Sequence, residues 1–441
     1  MIINNYGKLF LTTYNKKENK NLTPKEFFWN EMYSLFFSDE RSLSYVQNSP
    51  FSNPANKKKT EDEKIKLFKS KINSGEFDAS MFIGGFAGWK TNKNGKLINS
   101  ELISTTSFNL AGDYDINIDE DDIYLSWIGF GLTIQFNGIS FLFDNDEILY
   151  NIYKGWKLYR KLLNEEINNN FKPNQIQTWN SLWLEHIYTN IKKREVNFNP
   201  FKDFKEKLIS PHWFKVFRKL SNTYPDTVQN AYVFSLGQTN ETYGIIPIQL
   251  NKISGLLNGY KKYFGENDFV NNSTIFDEIY GTAYSLSTIC EFGSIGLLAL
   301  KPELLRLEEL IVKSEKIKNK IKTHYKKIKK DNININIYKN YIMVKLNKEN
   351  LDKESIKYAK TLIYINEKSR KNSWKTIDEL LNTTSSKVFF DKLTEVVKIT
   401  KENDMNNELE TLKELRNTFI ELKGNFREFL SLIKLDYEFN I

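Results

Sequence analysis

The chain has one cysteine, Cys290, and three histidines, His186, His212 and His324, in 441 residues. A single thiol excludes a disulfide framework and argues against a thiolate zinc site. None of the histidines has a partner at metal-ligand spacing, and no H-E-x-x-H occurs. His186, among Leu182, Trp183 and Ile187, reads as a packed structural histidine. The glycines Gly84, Gly85 and Gly88 lack the Gly-Lys-Ser/Thr ending of a P-loop and the spacing of a dinucleotide fingerprint. They read as sites where a bulky neighbour or a backbone approaches closely. Ser294 in F-G-S-I-G lacks the first glycine of a nucleophile elbow. Asp113, Asp115, Asn117, Asp119 and Asp121 alternate as in a calcium loop, but Ile118 stands where glycine is needed and Tyr124 where glutamate is needed. A solvated acidic turn is the expectation there. No apolar run approaches the roughly 18–20 residues of a membrane span, and the first twenty residues lack the layout of a signal peptide. A soluble cytoplasmic chain without metal or cofactor is expected.

Against these absences stand 40% hydrophobic and 14% aromatic residues, enough for a sizeable core. Asn, Lys and Ile are abundant throughout, as in chains from AT-rich genomes. The clearest local signal is Tyr124 to Phe143. Two apolar runs, Leu132–Phe136 and Ile139–Phe143, are separated only by Asn137-Gly138. Asn-Gly between such runs predicts a type I′ hairpin, because both central residues need positive φ. Apolar spacing then predicts a helix over 146–164, and the hairpin with this helix is expected to nucleate the core.

The remaining signals follow in chain order. Residues 8–14 are expected as a strand. Thr23 with Glu26 forms a capping box before an aromatic helix at Pro24–Phe37, and Thr60 with Glu63 opens a helix to about Ile72. A glycine-rich strand at 80–89 and a turn at Asn94-Gly95 suggest a second hairpin, running through Ile103. Helices are expected at 176–193, 252–264 and 273–292, with an irregular aromatic segment at 198–220. Residues 231–236 and 243–250 read as a hairpin whose second strand, carrying Pro247, belongs at an edge or bulge. After Gly296 the only glycine is Gly424, and the pattern is helical apart from 333–346. Helices are expected at 302–330, 350–366, 374–382, 386–400 and 405–434. The fold class expected is α+β: a hairpin-based mixed or antiparallel sheet domain over 1–297, with a sub-boundary near 165–200, then a basic helical bundle over 298–441.

Charge is unevenly spread. The net charge is −4 over residues 1–150, +4 over 151–297 and +8 over 298–441. Such asymmetry points to a polyanion partner. Its densest part is Lys313–Lys330, nine lysines against one glutamate, with Ile317, Ile321, Tyr325 and Ile328 three or four apart. One helix would carry a buried stripe and a lysine surface, with Lys316, Lys318, Lys320, Lys322, Lys326, Lys327 and Lys330 suited to a phosphate backbone. Lysines position nucleic acid without specifying a base. Lys57, Lys58 and Lys59 and, at the Asn94-Gly95 tip, Lys93 are auxiliary candidates. Gln238 and Asn240 offer amides that read base edges, although turn chemistry alone accounts for them.

Three segments carry a family resemblance: L-S-W-I-G-F-G-L (125–132), F-S-L-G-Q-T-N-E-T-Y-G (234–244) and I-Y-G-T-A-Y-S-L-S-T-I-C-E-F-G-S-I-G-L (279–297). With the division into an α/β part and a helical part, the chain resembles the large subunits of type I CRISPR interference (Cascade-type) complexes. The resemblance implies an N-terminal part, free of catalytic residues, that helps recognise a short duplex motif beside the target. It implies a C-terminal bundle lining the path of the displaced strand, and partners in DNA, guide RNA and other subunits of an antiviral ribonucleoprotein. The cysteine-paired zinc motif of some relatives is absent here. Two other readings stay open: a metal-dependent abortive-infection nuclease using Asp144, Asp146 or Glu147, and a scaffold whose aromatic Pro24–Phe37 helix docks a partner.

Overall fold

The computed structural model describes residues 2–36, 58–74, 89–91, 97–99, 120–165, 175–189, 198–200, 208–235, 241–271, 273–302, 333–369 and 373–439. Residues 80–88 of the strand expected at 80–89, the turn at Asn94-Gly95, the acidic residues 113–119 and residues 303–330 of the helix expected over 302–330 lie outside them. Two compact units emerge, 1–254 with 284–300, and 255–283 with 301–441.

The first unit begins with α1 (Ile2–Glu18), where a strand over 8–14 was expected. The side chains explain the difference. Ile3, Tyr6, Phe10, Leu11 and Tyr14 are buried at a spacing of three and four, which a strand would split between two faces. Thr23 then caps α2 (Pro24–Phe27), its hydroxyl accepting from the Glu26 N–H while Glu26 accepts from the Thr23 N–H at 2.8 Å. A π-helical turn, Phe28–Met32, leads into α3 (Tyr33–Phe36). Phe27, Phe28, Met32, Tyr33 and Phe36 are all buried, so the face expected to dock a partner is filled by the chain's own core. Phe27 meets Phe10 and Tyr14 edge-on at 5.5 and 4.9 Å, and Phe36 meets Trp156 at 4.4 Å.

Next come α4 (Glu61–Ser74) with its Thr60 cap, and the antiparallel pair β1 (Trp89–Thr91) and β2 (Leu97–Asn99). The apolar α5 (Glu120–Gly131) packs along α1 at unusually short range. A Cβ on Gly7 would lie 2.2 Å from the Leu125 carbonyl oxygen, and one on Gly129 2.3 Å from the Ile3 carbonyl oxygen. Two glycines facing each other's backbone set this spacing.

The hairpin follows as β3 (Ile134–Phe136) and β4 (Ile139–Phe143). Asn137 and Gly138 have φ of 48° and 85°, as the type I′ turn requires. Asn145 caps α6 (Asp146–Leu163), and α7 (Ile176–Thr189) lies against β3. The segment expected as irregular holds α8 (Trp213–Thr223), whose N-cap is His212, its Nδ1 accepting from the Phe214 N–H at 3.2 Å. Trp213, Phe214, Val216, Phe217 and Leu220 are buried at helical spacing. β5 (Gln229–Ser235) and β6 (Glu241–Ile248) complete a four-stranded antiparallel sheet ordered β3-β4-β5-β6. Pro247 is thus on an edge strand, and Tyr243-Gly244 forms a bulge opposite Val233/Phe234, with Gly244 at φ 83°.

Both sheet edges are partly covered. On the β3 side, the Asn180 amide donates to the carbonyls of Gly131 and Thr133 at 2.9 and 2.8 Å. The Ser181 hydroxyl accepts from the Gln135 N–H at 3.0 Å and donates to the Gln135 carbonyl at 2.9 Å. On the β6 side, Ile295 forms one parallel bridge with Ile248.

α9 (Leu250–Phe264) runs from the first unit into the second. The helix expected over 273–292 is broken into α11 (Ser273–Ile279), after α10 (Glu266–Asn271), and α12 (Leu286–Glu291). Gly281 at φ 76° ends one, and the Ser285 hydroxyl caps the next by accepting from the Thr288 N–H. In the second unit α13 (Ile333–Leu346) is helical, although the alternating I-N-I-N-I suggested otherwise. Residues 339–343 are all buried, so this helix is enclosed on more than one side and lacks an amphipathic signature. Around it lie α14 (Leu351–Lys368), α15 (Trp374–Leu381), α16 (Ser386–Glu402), α17 (Asn406–Leu422) and α18 (Phe426–Phe439). A 3-10 turn at Lys423–Asn425 divides what was expected as one helix over 405–434. The described fold is α+β with a helical C-terminal region.

Candidate nucleic-acid interface

Lys316, Lys318, Lys320, Lys322, Lys326, Lys327 and Lys330 lie outside the described residues, as do Lys57, Lys93, Gln238 and Asn240. Lys58 and Lys59 are described and exposed, at the turn before α4. Glu61, Asp62 and Glu63 occupy the first turn of that helix. Carboxylates there suit the helix dipole, and they offset the two lysines' positive potential.

Of the three carboxylates considered for nuclease chemistry, Asp146 and Glu147 occupy the first turn of α6, and Asp144 stands between β4 and that helix. The Asn145 side chain accepts from the N–H groups of Glu147 and Ile148 at 3.1 and 3.0 Å. Asp146 accepts from the Thr13 hydroxyl at 3.4 Å and Glu147 from the Tyr224 hydroxyl at 3.1 Å. The backbone N–H of Asp144 donates to the Asn230 carbonyl at 2.8 Å. Among the described residues, no group of three or more histidine, cysteine and acidic side chains is placed to hold a metal ion. His186 is half-buried and stacks on Phe198 at 4.3 Å, and burial lowers its pKa against the opposing charge of Glu185. Burial, with Glu291 adding, pushes the Cys290 thiol up to about 12, so it carries little thiolate at neutral pH.

In the second unit many described lysines face carboxylates. Lys348 reaches Glu421 at 2.8 Å, Lys392 reaches Glu379 at 2.6 Å, and Lys262 reaches Glu349 at 2.5 Å. Lys345 pairs with Glu428 and Lys357 with Glu414. Exposed pairs contribute only ~0–1 kcal/mol each; their larger effect is to neutralise the surface of the bundle. One pair is different. Lys339 of α13 meets Asp436 of α18 at 2.6 Å with side chains 6% and 0% exposed, and the Ser355 hydroxyl of α14 donates to the other Asp436 oxygen at 2.6 Å. Burial pushes the Asp436 carboxyl up, opposed by Lys339 and Ser355. Sealed among three helices, this group is a structural pin.

A basic surface that sequence reading passed over lies on the first unit, where α1 meets α6. Lys154, Lys157 and Lys161 are exposed on one stripe of α6. Lys17 and Lys154 hold their ammonium groups 4.4 and 4.8 Å from the centre of the same Tyr150 ring, and Lys157 lies 5.5 Å from that of Tyr153. Two acids lie nearby. The Tyr150 hydroxyl donates to Glu18, while Glu31 binds Lys20 at 2.6 Å and accepts from the Tyr153 hydroxyl at 3.4 Å. Burial opposes the ionised form of Glu31, but the Lys20 and Tyr14 hydrogen bonds and the charges of Lys20 and Lys157 outweigh it, holding the carboxyl below its usual range. The signal available in the sequence was the spacing of these lysines opposite the apolar face of α6.

Comparisons with protein-family models, curated proteins and solved structures give no match to this chain. Among the described residues, no helix is long and apolar enough to cross a membrane.

Proposed function

We propose that the chain is a non-catalytic nucleic-acid-binding subunit of a bacterial CRISPR-type antiviral ribonucleoprotein complex. In this reading it binds the backbone of target DNA through Lys313–Lys330, and loop-borne polar residues such as Gln238 and Asn240 read a short duplex motif. The observation that carries it is a contrast of charge. The described bundle helices set many lysines against carboxylates, whereas Lys313–Lys330 holds nine lysines and a single glutamate. A dense run of cations with a single acid among them is suited to release condensed counterions from a phosphate backbone. The antiviral assignment draws on the resemblance to Cascade-type large subunits, whose two-part organisation the α+β fold with its helical C-terminal region parallels.

The test is the salt dependence of DNA binding. Changing Lys320, Lys322, Lys326 and Lys327 to glutamine is expected to reduce the slope of log affinity against log salt by about 3–4, near 0.9 per lost phosphate contact. A flat salt response in the unaltered chain, or an unchanged slope in the variant, defeats the reading. Magnesium-dependent cleavage that disappears in Asp144→Ala would replace it with nuclease chemistry.

A further inference from the structure

The lysines at the junction of α1 and α6 are left unused by the function just proposed. Lys154, Lys157 and Lys161 recur at three and four residues, so they line one face of the helix and span about 10 Å along its axis at a rise of about 1.5 Å per residue. Successive phosphates of one DNA strand rise about 3.4 Å along the duplex axis, so this stripe matches the reach of about three of them. Lys17 adds a charge from the neighbouring helix. The Tyr150 ring, itself buried, anchors both Lys17 and Lys154, which holds the two ammonium groups within about 9 Å of each other. Glu18 and Glu31 offset part of this charge, Glu31 mainly that of Lys20, and Lys17, Lys20, Lys154, Lys157 and Lys161 still outnumber them five to two. Asp146 and Glu147 lie at the far end of the helix, two turns before Lys154.

The surroundings distinguish between polyanions. A helix that binds an anionic membrane inserts an apolar face beside its lysines. The apolar residues of α6 from Ile148 to Leu163 are buried in the first unit, apart from half-buried Leu158, and among the described residues no exposed large hydrophobic side chain belongs to α1 or α6. We infer that Lys17, Lys154, Lys157 and Lys161 form a second contact for the phosphodiester backbone of a nucleic acid, separate from the 313–330 run. The inference rests on the reading that the chain binds nucleic acid and adds a surface on its other unit.

The experiment compares the full chain with two variants by fluorescence anisotropy on labelled duplex and single-stranded oligonucleotides over a salt series. One variant changes Lys154, Lys157 and Lys161 to glutamine; the other changes the four lysines at 320, 322, 326 and 327. The α6 variant is expected to keep its Tm and to lower the slope of log affinity against log salt by up to about 2.7 on duplex and about 2.1 on single strands. Replacing the same three residues with arginine is expected to restore the slope, which separates lost charge from disturbed folding. An unaltered slope in the α6 variant, alongside a reduced slope in the 313–330 variant, overturns the second contact and leaves the proposed function standing. Absence of nucleic-acid binding by the unaltered chain overturns both. Binding to anionic lipid vesicles that is lost in the α6 variant, with oligonucleotide binding unchanged, also overturns it and assigns the stripe to a membrane surface.

Discussion

His186 illustrates how much a single packed side chain settles. Its ring stacks on Phe198 with an interplanar angle of 22° and lies near Trp183, so the neutral imidazole fits and the imidazolium is disfavoured by burial. The folded-state pKa is therefore below the unfolded value, near 6.5, and the unfolded chain takes up the proton first. Stability should fall as pH drops through that range and level off below the folded pKa. His186→Phe is expected to flatten the Tm profile between pH 7.5 and 5; an unchanged profile would show that the ring is not buried as described. His212 has a different task, the capping of α8, which its residue type does not announce. The usual start signals are Ser, Thr, Asp and Asn, so a histidine before Trp213, Phe214, Phe217 and Leu220 does not mark a helix start.

Helices α1 and α5 show what happens between elements. A Cβ added at Gly7 or Gly129 would lie 2.2 or 2.3 Å from a carbonyl oxygen of the opposite helix, so neither position tolerates a side chain without separating the helices. Gly7→Ala and Gly129→Ala should each cost about 1–3 kcal/mol, the range for overpacking. Gly255→Ala is the control. It sits inside α9 with nothing within 4 Å of an added Cβ, and alanine there should gain about 0.5–1 kcal/mol from helix propensity. Urea denaturation distinguishes the signs, and destabilisation at all three positions would mean that contact distance is not the cause. In the second unit, Lys339→Met strands the Asp436 charge and should cost about 3–5 kcal/mol, whereas pairing it with Asp436→Leu should recover most of that loss. A double variant as unstable as the single one would contradict this account. Capping boxes at Thr23 and Thr60 and the Asn137-Gly138 turn were legible because each is written within four residues. The nature of α13 was not, because a helix buried on several sides has no polar face to reveal its period. The registration of α1 against α5 was likewise hidden, since two glycines more than a hundred residues apart carry no mutual signal. The same limit applied to the α1–α6 lysines, which become one surface only through a tertiary contact.

Across the whole molecule, the net charge of +8 is what a distant polyanion encounters first. Such attraction is screened over about 8 Å at physiological salt. The association rate with DNA should consequently fall steeply as ionic strength rises, while the dissociation rate changes less. Stopped-flow measurements check this, and a salt-independent association rate would count against electrostatic capture. The four-stranded sheet has its own consequence at this scale. An open strand is a template on which a second copy of the same chain adds and starts an aggregate. Along β3 that template is taken by Asn180 and Ser181, which occupy the places where another strand's backbone would bond. Two helical side chains thus act as a terminator. Their removal, as in Asn180→Ala with Ser181→Ala, should show first as insoluble protein during expression.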